Sequence, residues 1–144
     1  MKGKIEWIKV SAVVHSTESR EKVSQAIATF FPFEFEIQVS KAVGHYGNPI
    51  EYLEVELKKS SEIKSFWENF VLLLKEKKDV LLNTLDERLD SQNVLHIRLD
   101  KQKAYLGEVE LSSVDPVAIK AKLVVFPSKR DKALEFAKEL CSIS

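Results

Sequence analysis

The heptapeptide GHYGNPI, residues 44–50, places two of the chain's four glycines, a proline and the planar rings of His45 and Tyr46 between two alternating apolar runs. Gly44 and Gly47 can take positive φ and Pro49 cannot donate to a strand ladder, so the segment reads as a hairpin turn. Small neighbours leave the two rings accessible for stacking on unpaired bases, and each such contact is worth about 1–3 kcal/mol. The plainer alternative is a tight loop in which Tyr46 packs back on the sheet and Asn48 bonds its own backbone.

Cations form the second group of interest. Arg98 follows His96 on the polar face of one strand, Lys101 and Lys103 flank a DKQ turn, and Lys120 and Lys122 share another polar strand face. Lys129 and Arg130 open the last helix, where the backbone dipole favours anions rather than cations. A docked phosphate would reconcile them; so would side chains that turn into water beside Asp131. His15, His45 and His96 lie in separate segments with no cysteine or carboxylate at ligand spacing, so neither a metal centre nor a cofactor is expected. There is no G-x-S-x-G elbow and no phosphate-cradling glycine loop. Glu34, Glu36, Glu54 and Glu56 read as the solvated faces of two neighbouring strands.

These residues need a scaffold, and the totals limit it. A chain of 144 residues with 44% hydrophobic content supports one domain, taken as 1–144. Its apolar stretches fall far short of the roughly 20 residues of a membrane span, and Glu6 and Lys9 interrupt the run a signal peptide would need. A cytoplasmic protein with no membrane partner is expected. Cys141 stands alone and falls on the apolar spacing of the last helix, which assigns it to packing. The formal net charge of zero divides into +2 over residues 1–15, −4 over 16–95, +3 over 96–132 and −1 over the last twelve.

Residues 4–15 alternate as a half-buried strand, and Thr17 is placed to cap a helix that Pro32 ends. Residues 33–40 alternate again, as do 53–58 across the heptapeptide. Ser60 or Ser61 is expected to cap a helix with Ile63, Phe66, Trp67, Phe70, Val71 and Leu74 inward, followed by a helical piece around Leu81–Leu89. Three strands follow, near 93–99, 103–111 and 117–126, and Ser128 is expected to cap the final helix. This order predicts an α+β fold with a largely antiparallel sheet packed by helices.

Three strings, GHYGNPI, LHIRLDKQKAYLGEVEL at 95–111 and VVFPSKRDKALEFAKEL at 124–140, together with HSTESREKVSQAIATFFP, resemble the archaeal RNA-binding family described as predicted exosome subunits. The resemblance implies a ribosomal protein L-five-like architecture and RNA as partner, with exosome or ribosome components nearby. It carries function onto His45, Tyr46, Gly47, Asn48 and Pro49, onto Arg98, Asp100, Lys101, Gln102 and Tyr105, and onto Lys129 and Arg130. Tyr46 stands where the family often has a second histidine, which keeps a ring for stacking and removes a titratable one.

The expectation is a non-catalytic RNA-binding protein in which Arg98, Lys101, Lys103, Lys129 and Arg130 hold phosphates, His45 and Tyr46 stack, and Asn48 and Gln102 read base or ribose edges. Two alternatives stay open: a metal-independent ribonuclease using His45 and Lys101, and an interaction module that docks on a larger complex or on a second copy of itself.

Overall fold

A computed structural model describes residues 3–142. Its frame is a five-stranded sheet in the order β2-β3-β1-β5-β4, with every neighbouring pair antiparallel. The strands are β1 (Gly3–Val14), β2 (Gln38–Val43), β3 (Pro49–Leu57), β4 (Val94–Asp100) and β5 (Pro116–Val125). The helices are α1 (Arg20–Ala28), α2 (Ser60–Leu74), α3 (Lys78–Asn83), α4 (Leu85–Arg88), α5 (Lys101–Tyr105) and α6 (Arg130–Cys141). The fold class is the expected one.

Strand alternation decides which face is covered. Ile8, Val10, Ala12 and Val14 of β1 point to the same side as Leu53 and Val55 of β3 and Ile119 and Ala121 of β5, and all are buried there. Helices close that side. The α2 stripe of Ile63, Phe66, Trp67, Phe70, Val71 and Leu74 is buried throughout, as its helical spacing requires. Its aromatic rings knit the layer together: Phe70 meets Phe30 edge-on at 6.2 Å and Trp67 at 5.5 Å, while the Trp67 indole donates to the Leu140 carbonyl of α6 at 2.9 Å. Among the described residues the other face, with Trp7, Lys9, Val13, Lys120 and Lys122, is partly exposed, and Ser11 is buried between its neighbours.

Several elements depart from expectation for local reasons. Residues 103–111 are not a strand. The Asp100 carboxylate accepts from the Lys103 amide at 2.8 Å, capping the five-residue helix α5, and Gly107 at φ +81° turns the chain out of it. Only a single bridge, Leu99 to Leu111, is left of the expected pairing. Strand β2 begins at Gln38 rather than at Phe33. The alternating Phe33 and Phe35 are drawn into an aromatic cluster instead, with Phe31 stacked on Phe35 at 4.2 Å and tilted on Phe66 at 4.9 Å. Ser19, not Thr17, caps α1, and the helix beginning at Ser60 and the one beginning at Arg130 start without a side-chain cap. The helical piece near 81–89 breaks at Thr84 into α3 and α4.

Truncating the centre of the aromatic layer tests this packing. Phe70→Ala is expected to cost about 3–5 kcal/mol, seen as a lower midpoint in urea with little change in slope.

Candidate nucleic-acid interface

The heptapeptide forms the expected hairpin between β2 and β3. Gly47 donates to the Gly44 carbonyl at 2.9 Å, Gly44 donates to that of Asn48 at 2.6 Å, and Gly47 takes φ +80°, a conformation a side chain would strain. His45 and Tyr46 occupy the tip, edge to face at 5.0 Å, with Tyr46 91% exposed. The tyrosine does not pack back on the sheet.

The expected cations do not gather beside it. Strand register places the hairpin, α5 and the start of α1 at one end of the sheet, and Lys129 and Arg130 at the other, beyond Val125. Arg130 is engaged there: its guanidinium donates to the carbonyls of Asp86 at 2.6 Å and Leu89 at 2.8 Å, satisfying the C-terminal end of α4. Lys129 is exposed. Lys103 stands 3.7 Å from Glu108. Gln102 and Tyr105 line a notch of about 330 Å³ with Thr17, Ser19 and Lys22, where the Lys22 ammonium lies over the Tyr105 ring.

Lys101 is the clearest departure. It is 4% exposed, and its ammonium donates to the Val13 carbonyl at 2.9 Å, to Glu18 at 2.9 Å and to Asp115 at 2.8 Å. Its three donors are therefore used inside the protein, and it has none left for a phosphate. The same geometry separates it from the role a ribonuclease would give it. His15 completes the cluster, 3.0 Å from Asp115, so that His15, Glu18 and Asp115 bring three metal-type donor atoms within 4.8 Å of one another. Here the lysine ammonium itself supplies the cation that the two carboxylates need. Asp115 sits at φ +44°, which Asp tolerates better than most residues. Burial pushes its carboxyl up, but the bonds to Lys101 and His15 outweigh that and hold it below the usual range. Asp90 is held down likewise, its burial opposed by bonds from His96 and from the amides of Val94 and Gln92.

The open sheet face carries the remaining cations. Register sets Lys9 directly opposite Lys120, with His96 on the far side of Lys120; Trp7 is opposite Lys122; and Ser11 and Arg98 flank Ala118. Lys9 approaches Glu56 at 3.8 Å and lies over the Trp7 ring at 4.8 Å. Lys122 donates to the Gln92 carbonyl, and His96 is bonded to Asp90 at 2.8 Å. Among the described residues Lys120 and Arg98 have no carboxylate within ion-pair distance. Arg88, near enough to Arg98 to feel its charge, has its guanidinium pKa lowered by burial first and by that charge, with Glu87 acting against the shift. Trp7, Tyr52 and Arg88 are not among the contacts expected from the sequence. The first two fall on the polar phase of strand alternation, and an aromatic there is a signal available in the sequence.

Two measurements check the Lys101 cluster. Lys101→Met leaves two carboxylates facing each other without their cation and is expected to cost about 3 kcal/mol, or roughly 10 °C in Tm. Lowered carboxyl pKa values stabilise the fold above the unfolded-state value of about 3.9 and lose that effect as pH falls through the folded values. Thermal stability should hold from neutrality to about pH 5 and drop in more acidic buffer, with a shallower drop in Asp115→Asn.

Comparison with known proteins places the chain in a family. A family model described as RNA binding matches residues 7–123. The chain is 37% identical over 148 residues to the RNA-binding protein PAB1135 of Pyrococcus abyssi, covering 96% of each. Among solved structures, protein AF2318 from Archaeglobus fulgidus is 69% identical with a TM-score of 0.91, covering 96% of this chain and 100% of that one. Mth689, a DUF54 protein from Methanothermobacter thermautotrophicus, is 31% identical with a TM-score of 0.80, covering 96% and 98%. By the extent of these matches, the chain belongs to the RNA-binding family, also designated DUF54.

Proposed function

We propose that this chain is a non-catalytic RNA-binding protein that holds RNA on the open face of its sheet. The observation that carries the reading is the juxtaposition of Lys9 and Lys120. Like charges directly opposite on neighbouring strands are about 5 Å apart at Cβ and repel; Glu56, 3.8 Å from Lys9, offsets part of this, while Lys120 has no carboxylate at ion-pair distance among the described residues. A phosphate seated between them reverses the sign of that interaction. Lys122 and Arg98 extend the positive surface along β5 and β4, and Trp7 offers a ring at its margin for a base to stack on.

The hairpin then serves as the far end of the same track. Tyr52 pairs with Val13 on the open face, so a path of aromatic and apolar side chains leads from the cations to His45 and Tyr46. In this reading Lys9, Lys120, Lys122 and Arg98 contact phosphates, and Lys101 and Arg130 hold the scaffold. The RNA belongs to the processing machinery or the ribosome, as the sequence resemblance implies; recovery of exosome or ribosomal components with the tagged protein would support that setting.

Fluorescence anisotropy with a labelled 12-nucleotide RNA tests the surface. Four phosphate contacts on a single strand give a log-log salt slope of about −2.8. Lys120→Glu should weaken binding by at least about tenfold, and Trp7→Ala by about 1–3 kcal/mol. A slope near zero, or unchanged affinity in both variants, overturns the proposal.

A further inference from the structure

We infer that the open face accepts one unpaired RNA strand and that flanking carboxylates, Glu54 foremost, exclude a duplex. The inference rests on the reading of that face as the RNA surface. The positive strip spans β1, β5 and β4, two strand spacings or about 10 Å across. On the β1 side, Glu54 stands opposite Ser11 and Glu56 opposite Lys9 on β3; Glu56 meets Lys9 at 3.8 Å and Lys58 at 3.7 Å, whereas Glu54 has no cation at ion-pair distance among the described residues. Beyond them Glu34, Glu36 and Glu62 line a surface groove that also includes Glu54 and Glu56 and contains Lys59 as its single lysine.

The other border carries carboxylates as well. The Asp100 amide donates to the Glu110 carbonyl at 2.7 Å, which fixes the segment carrying Glu108 and Glu110 beside the Asp100 end of β4, where Lys103 stands 3.7 Å from Glu108. Glu87 acts on Arg88, near Arg98 of β4. A phosphate track over β5 lies about 10 Å from β3, close to one Debye length at 0.1 M salt, so the rim is largely screened from it. A duplex is recognised through two backbones across its shallow groove and carries about twice the charge per unit length. Its second backbone must pass over one rim or the other, within a few Å of the carboxylates. The strip is thus one backbone wide, and Trp7 and the hairpin rings reward bases that are free to unstack.

Anisotropy with a labelled 12-nucleotide RNA, alone and annealed to its complement as a blunt duplex, reads the preference at 0.1 M salt. The single strand is expected to bind at least about tenfold more tightly, and Glu54→Gln with Glu56→Gln should narrow that ratio by about fivefold. Glu108→Gln with Glu110→Gln, on the opposite rim, should narrow it in the same direction and substitutes for the first variant if thermal melting shows that variant unfolded. A duplex bound as tightly as the single strand, or a ratio unchanged in a folded rim variant, overturns the inference and leaves the RNA reading standing. Binding of neither probe overturns the RNA reading itself and this inference with it.

Discussion

The register between β1 and β5 is the constraint on which core and surface both depend. Side chains alternate along a strand, so pairing Val10 with Ile119 sends both inward and in the same act sets Lys9 against Lys120 outside. A slip of one residue would bring the lysines under the helices and expose the apolar row. The hydrophobic effect that selects the register therefore also fixes the spacing of the cations, and no separate interaction is needed to assemble them. The irregularity between Ile5 and Trp7 refines this. It lets Ile5 pack against the core while Trp7 stays on the open face opposite Lys122.

Lys101 illustrates why charge type alone does not identify a contact surface. In the sequence it sits among RLDKQKAY, beside Arg98 and Lys103, and looks like one more cation of a basic stretch. In space it begins a helix at the end of β4 and turns inward, where it joins the end of β1, the start of α1 and the approach to β5 through Val13, Glu18 and Asp115. An ammonium that replaces water with one carbonyl and two carboxylates is stable in a buried position, and removing it strands the carboxylates. Its place is structural for the same reason that it is fully satisfied.

What could be read in the sequence follows the strength of the periodic signal. The alternation of β1 from Trp7 onward, that of β5 and the α2 stripe are long and unbroken, so their inward residues were identifiable. The stretch 103–111 alternates weakly, and two local devices outweigh it: a carboxylate cap at Asp100 and a left-handed glycine at 107. Phe33 and Phe35 alternate well, yet ring packing with Phe31 and Phe66 holds them away from the β3 edge. The hairpin was legible because glycine and proline chemistry is local. Arg130 was not, since its partners, Asp86 and Leu89, are more than forty residues distant and belong to another helix.

Those non-local relations also explain how a chain of zero net charge can present a positive surface. Carboxylates and lysines concentrate on different strands of the open face: β3 contributes Glu54 and Glu56, the latter 3.8 Å from Lys9 of β1, while β5 contributes Lys120 and Lys122 with no carboxylate between Pro116 and Val125. Neighbouring strands are about 4.8 Å apart, so the sign of the surface changes across the sheet within about one Debye length of physiological salt. On the proposed reading, a polyanion that follows a single track meets attraction along β5 and repulsion as soon as it broadens. Segregation by strand thus converts a neutral composition into a surface with direction and width, which total charge cannot express.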